Sequence, residues 1–170
     1  PEGICIKNNK IYVANSGGLD YSTGNFDYTV SVIDLHSFKE EKKIEVGKNP
    51  YQVFADSQGD VYVSTRDIYN SGDWTKIDTP ASFKKINVST GRVETIATIS
   101  PNKFTIVNDK AYVLVNNYTK TIIAVYDCLN EKVVTNNLLS SDTEIAMPYS
   151  IAVDAFNEDV FVMDAIGDGS

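Results

Sequence analysis

Four of the five prolines cut the 170-residue chain into a repeat: Pro1, Pro50, Pro101 and Pro148 stand 49, 51 and 47 residues apart. Self-similarity at that period belongs to array architectures, propellers or solenoids. Each proline opens a short apolar strand (strand A), reading GICIK, YQVFA, NKFTIV and YSIAV in turn. A polar turn follows at Asn8-Asn9, Ser57-Gln58-Gly59, Asn108-Asp109 and Asn157-Glu158. Strand B then reads IYVANS, VYVSTR, AYVLVN and VFVMDA, with an aromatic-Val pair at Tyr12-Val13, Tyr62-Val63, Tyr112-Val113 and Phe161-Val162. Two strands joined by so short a turn form a hairpin, and their alternation turns one set of side chains to each side of the sheet.

A third strand, TVSVIDL, ASFKKINV or TIIAVYDC, ends at Asp34, Asn87 or Asp127, where a short polar side chain bonds its own backbone and starts the next turn. The outer strands KKIEV, VETIATI and KVVTN complete the unit. Val, Ile, Tyr, Thr and Phe in short runs between Asn, Asp, Gly and Ser have the composition of many short strands. The expected fold is therefore all-β, a β-propeller of four-stranded antiparallel blades covering residues 1–49, 50–100 and 101–147, with a partial fourth blade at 148–170. About three and a half blades are then present. An open arc would expose apolar sheet faces, which ring closure removes. The expectation is that this segment belongs to a longer chain, or that two such chains pair to make about seven blades.

The segments IYVANS and VYVSTR, followed by VSVIDL and VGKNP, resemble the YVTN repeat of YncE-like propellers, and the likeness covers the whole chain. With its Tyr- and Asn-rich loops and Asn-Pro-Tyr junction, the sequence is similar to cell-surface propellers of gut anaerobes, among them the BtuG-type cobalamin-capturing lipoproteins. That resemblance implies seven blades, a bacterial extracellular or cell-surface (lipid-anchored) location, with the periplasm as the alternative, and capture of a corrinoid or other small molecule for an outer-membrane transporter. Surface-layer proteins and lactonases share the fold, so activity has to be argued from the site.

In such a sheet the B–C loops and the D–A junctions share one end. Two B–C loops are expanded, residues 16–28 and 66–81, against only NNYTK in the third repeat. They carry Tyr21, Phe26, Tyr28, Tyr69 and the sole tryptophan, Trp74, interleaved with Asn25, Asn70 and Asp73. Aromatic bodies with polar tips suit a planar or amphipathic ligand, and the alternative is that they cover sheet edges. The junctions add Lys48, Asn49, Tyr51, Asn102, Lys103, Met147 and Tyr149, a ring of polar tips around a channel, or simply the turn chemistry of Asn-Pro and Met-Pro.

A formal net charge of −8 and scattered lysines argue against a nucleic-acid partner. No run approaches the roughly 18 apolar residues of a membrane-spanning helix. Cys5 and Cys128 are expected as unpaired thiols, Cys5 packing as a small hydrophobe. The one histidine, His36, falls in a C–D turn at the other end of the sheet, so no Ser-His-Asp arrangement can be built among the decorated loops. Glu2, Gln52, Asn102 and Ser150 at the inner-strand starts include one acid, a thin basis for a metal-dependent lactonase. DAIGDGS places Ile166 between Asp164 and Asp168, where a calcium loop needs oxygen. The sequons at Asn87 and Asn117 are short chance matches. Non-enzymatic ligand capture without a cofactor is the primary expectation; a lactonase-like hydrolase and a protein-interaction scaffold are the alternatives.

Overall fold

The computed structural model describes residues 1–18, 24–96, 99–116, 120–140 and 144–165. Among the described residues every regular element is a β-strand. Tyr21, the sequon at Asn117 and residues 166–170 lie outside them. The chain divides into two compact units, Pro1–Ser100 and Pro101–Ser170.

In the first unit, β1 (Ile4–Lys7), β2 (Lys10–Asn15), β3 (Thr29–Asp34) and β4 (Glu40–Glu45) form an antiparallel sheet in sequence order. A second sheet follows, begun by β5 (Pro50–Ala55) and β6 (Val61–Thr65). The chain then leaves this sheet for a separate hairpin, β7 (Ile68–Asn70) with β8 (Asp73–Thr79), and returns through β9 (Phe83–Ile86) and β10 (Val93–Thr95). In the second unit, β11 (Lys103–Val107), β12 (Lys110–Asn116), β13 (Thr121–Asp127) and β14 (Lys132–Thr135) repeat the four-stranded pattern, and β15 (Pro148–Val153) pairs with β16 (Val160–Asp164).

The turn chemistry explains these elements. Asn8 and Asn9 have φ of 50° and 59°, and Asn108 and Asp109 have 49° and 58°. Both central residues are left-handed, as the tight hairpin turn that matches strand twist requires, and Asn and Asp tolerate that region. At the third-strand ends, Asp34 Oδ1 accepts from the Ser37 amide at 2.8 Å. Asn87 Oδ1 takes the Thr90 amide at 2.9 Å, and Asp127 Oδ1 the Asn130 amide at 2.9 Å. The anticipated turn-starting role of all three residues is present.

Packing follows the strand alternation. Tyr12, Ala14, Val30 and Val32 of the first sheet bury against Val53, Val61, Val63 and Ile86 of the second, with Cys5 and Ala55 alongside. The first strands come so close that a Cβ on Gly3 would lie 2.7 Å from the Tyr51 carbonyl oxygen, so only glycine fits there. In the second unit, Tyr112, Leu114, Ile123 and Val125 pack with Ile151, and Val153, Val160 and Val162 complete the layer. At the B–C-distal end of each four-stranded sheet sits a polar pair across strands. Lys10 pairs with Asp34 at 3.2 Å and Lys110 lies opposite Asp127 in register, whereas the second sheet reverses the signs, with Asp60 bound to Lys85 at 2.8 Å.

Three details depart from the sequence reading. β4 begins at Glu40, two residues before KKIEV, because the β3–β4 register shifts between Val32 and Ile33 and draws the earlier residues into pairing. β10 is Val93–Thr95 and stops before Ile96, while Ala97 and Thr98 of VETIATI lie outside the described residues. Residues 66–81, read as an expanded loop, are built around a hairpin: the turn signal Asn70-Ser71-Gly72-Asp73 separates two runs of strand formers, and Tyr69 pairs opposite Ile77. Neither cysteine forms a disulfide, and burial pushes the Cys5 thiol up to about 12. No helix among the described residues is long and apolar enough to cross a membrane.

Candidate functional site

In an antiparallel sheet of this order, the start of the first strand, the end of the second and the start of the third meet at one end. In the first unit that end is tied by consecutive backbone bonds: the Asp27 amide donates to the Ser16 carbonyl at 3.0 Å, the Asn49 amide to Asp27 at 2.9 Å and the Arg66 amide to Asn49 at 3.0 Å. Asn49 thus joins the B–C loop of the first sheet to that of the second. Its φ of 57° is one that asparagine adopts more readily than most residues. The residue is 0% exposed, so it is not a solvent-facing tip. Its side-chain Oδ1 and Nδ2 are buried and have no hydrogen-bond partner.

Immediately beyond, Pro50 pairs with Thr65 and Val53 with Val63, leaving Tyr51 and Gln52 opposite the single residue Ser64. This bulge re-aims the Tyr51 side chain. The Arg66 guanidinium lies over the Tyr51 ring, Cζ 3.4 Å from its centroid. One guanidinium nitrogen lies 3.4 Å from Glu2 Oε2, and the other Glu2 oxygen accepts from the Ser16 hydroxyl at 3.3 Å. Arg66 and Glu2 side chains are about a quarter exposed, at 24% and 25%. Glu2, Ser16, Tyr51 and Arg66 therefore form one half-buried polar cluster.

The hairpin grows directly from that cluster. Trp74 is 59% exposed and Ile77 48% exposed. Hydrogen bonds order it: Asn70 Nδ2 donates to the Asp78 carboxylate at 3.2 Å, the Gly72 amide to Asn70 Oδ1 at 2.9 Å and the Thr75 hydroxyl to Asp73 at 2.6 Å. The Thr75 bonds and nearby Lys76 hold the Asp73 carboxyl below the usual aspartate range. At its base the Ala81 amide donates to Asp67 at 2.6 Å. β6 pairs directly with β9, so the sheet is complete without β7 and β8. Tyr28 and Lys48 are exposed at this end, and Phe26 and Tyr69 are half-buried. The Asp27 carboxylate accepts from the Thr29 hydroxyl and the Tyr28 and Thr29 amides and seats the start of β3.

In the second unit, Lys103 Nζ is 5.7 Å from the ring centroid of Tyr149, which is 65% exposed and sits in a second bulge, between Pro148 and Ser150. A cation against the tyrosine that follows a proline thus occurs in both units. Asn102 is exposed, but its Oδ1 accepts from the Asn116 amide and closes the end of β12. Met147 is also exposed, and its amide donates to Asp164 Oδ1 at 2.6 Å.

Of the candidates named from the sequence, Asn49, Tyr51, Tyr69, Asn70 and Trp74 lie on one continuous stretch of the first unit, with Phe26, Tyr28 and Lys48 at the same sheet end. Asn102, Lys103 and Tyr149 belong to the second unit. Arg66 and Ser16 were missed as site residues, and Glu2 was weighed only as a metal ligand. The available signal was positional: the four strand-B segments end on Ser16, Arg66, Asn116 and Ala165, one cation among neutral residues. His36 is exposed in the β3–β4 turn, where its amide donates to Asp34. Among the described residues no group of three or more His, Cys, Asp or Glu is placed to hold a metal ion.

No protein-family model matches the chain. No curated protein matches it either. Among solved structures, a hydrazine synthase from Kuenenia stuttgartiensis is similar to it at 16% identity and a TM-score of 0.41, over 91% of this chain and 58% of that one. The chain thus spans less than two thirds of that structure, and a likeness at this level carries nothing about activity.

Proposed function

We propose that this chain supplies blades of a β-propeller of the YncE-like, YVTN-repeat kind, and that the ring captures a small molecule without transforming it. The observation that carries the ligand-binding reading is the β7–β8 hairpin. It is dispensable to the sheet, internally ordered, and presents the only tryptophan with 59% of its surface exposed, so a large aromatic face is open to a ligand.

Ring closure is supported by equivalence between repeats. Ile4 and Ile6 stand three and five residues after their proline, as Val53 and Ala55, and Ile151 and Val153, do. The later pairs pack in interior layers, whereas Ile4 and Ile6 are 64% and 59% exposed. Likewise Phe161 and Met163, about 60% exposed, take the places of Tyr12 and Ala14, and of Tyr112 and Leu114, which are buried. Both exposed faces have the chemistry of an inter-blade face, so further sheets of the same repeat are the occupants that fit them. Seven blades, a bacterial cell-surface or periplasmic location with a lipid anchor, a transporter partner and a corrinoid as first candidate ligand come from the resemblance alone.

The test is calorimetric titration of the full-length protein with cobalamin, related corrinoids and a panel of aromatic cofactors and sugars, repeated on Trp74→Ala. Binding weakened at least tenfold by the substitution, with the unfolding midpoint unchanged, supports capture at the hairpin. Binding unaffected by Trp74→Ala removes the hairpin from the site, and silence across the panel shifts the reading to a protein-interaction scaffold.

A further inference from the structure

We infer that Arg66 is an anion anchor, so that the ligand taken at this end of the sheets carries a carboxylate or phosphate group; the inference rests on the ligand-capture reading above. A guanidinium offers five N–H donors in a planar fork and recognises carboxylates and phosphates two bonds at a time. Arg66 is held at its backbone, where the amide donates to the buried Asn49 carbonyl, and at its tip, where the guanidinium lies over the Tyr51 ring, so less rotamer freedom remains to be lost when an anion arrives.

The alternative is that Arg66 merely staples the first sheet to the second through Glu2. Three observations weigh against it. The contact is a single 3.4 Å approach, longer than the roughly 2.7–2.9 Å of a strong charge-assisted bond. Glu2 divides its carboxylate, one oxygen being engaged by the Ser16 hydroxyl. The neutral residues Ser16, Asn116 and Ala165 at the equivalent positions show that the repeat needs no cation there; Ala165 makes the same junction bond, its amide donating to the Met147 carbonyl at 2.9 Å, without a charge. Among the described residues, the repeat with arginine is the one whose B–C connection carries the exposed hairpin. In a chain of net charge −8, a pre-oriented cation at the base of the hairpin that carries the exposed Trp74 selects ligands that pair an anionic group with an apolar or planar body.

Matched probes test this: 1-naphthoate, 1-naphthyl phosphate and neutral 1-naphthamide, titrated by ligand-observed NMR and calorimetry into the full-length protein and into Arg66→Gln, Arg66→Lys and Trp74→Ala. One or both acids should bind at least tenfold more tightly than the amide, and which acid leads distinguishes carboxylate from phosphate chemistry. Arg66→Gln should abolish the preference while leaving amide binding within twofold, Arg66→Lys should retain part of it, and Trp74→Ala should weaken all three probes with the preference kept. An equal affinity for acid and amide, or a preference that survives Arg66→Gln, overturns the anchor while leaving ligand capture standing. Absence of binding by all three probes overturns the anchor together with the aromatic-ligand reading on which it rests.

Discussion

Replacing Lys85 by methionine isolates one buried charge pair in the second sheet. Lys85 Nζ lies 2.8 Å from Asp60 Oδ2, with side chains 9% and 12% exposed, so neither charge has much water to turn to. Once Lys85 is gone, Asp60 keeps the Val88 amide at 3.0 Å and Asn87 Nδ2 at 3.4 Å. Removing one partner of a buried pair costs about 3–5 kcal/mol, and the surviving donors place this site at the lower end, about 3 kcal/mol. That is roughly a hundredfold in the folding constant. Methionine preserves an apolar stem near the Tyr62 ring, whose centroid is 6.0 Å from Nζ, so the loss reports charge more than packing. The companion variant Asp60→Leu/Lys85→Met removes both charges and should recover about 2 kcal/mol of the loss. Urea unfolding followed by far-ultraviolet circular dichroism measures both, since Trp74 is exposed and its fluorescence reports the hairpin. A single variant within about 0.5 kcal/mol of the parent, or a double variant no more stable than the single, would refute the reasoning.

Two other groups give sharp expectations. Asp56 is buried with Oδ2 unpartnered, and desolvation raises its pKa despite the amides of Gly59 and Asp60 on Oδ1 and the nearby Lys85. The folded state therefore holds this proton to higher pH than the unfolded chain, and stability falls as pH rises from the ordinary aspartate value through the folded pKa. Asp56→Asn should raise the unfolding midpoint at pH 7, with the gain shrinking on acidification into the aspartate range; a lower midpoint at pH 7 contradicts this. The Cys5 thiol, pushed up to about 12 by burial, should resist iodoacetamide at pH 8 in the native protein and react on unfolding. Rapid native labelling located at Cys5 by peptide mapping would contradict it.

Much of the fold was legible because the determinants are local. The strand formers around Tyr12, Tyr62 and Tyr112, the Asn-Asn and Asn-Asp turns, and the turn-starting Asp34, Asn87 and Asp127 each act within a few residues, and all appear in the expected places. The β7–β8 hairpin was less visible because its Ile68-Tyr69-Asn70 strand is only three residues long and its partner carries register shifts, so neither shows clean alternation. The bulges at Tyr51 and Tyr149 are set by pairing across strands, which no single stretch of sequence displays.

The candidate site was legible in its residue types and not in their roles, and Asn49 shows why. An asparagine before proline at a loop end reads as a polar tip, yet the same short side chain also tolerates a left-handed backbone, and here that second property is the one used. A side chain chosen for backbone geometry is drawn inside, while its neighbours take the outer positions: exposed Lys48 on one side, half-buried Tyr51 with Arg66 on the other. The contrast between repeats separates the two kinds of residue better than polarity does. Features that recur, such as the proline, the aromatic-Val pair and the junction bond shared by Arg66 and Ala165, answer to the fold. Features that differ at one sheet end, Glu2 against Tyr51 and Ser16 against Arg66, answer to nothing the sheet needs, and it is on these that specificity can be built.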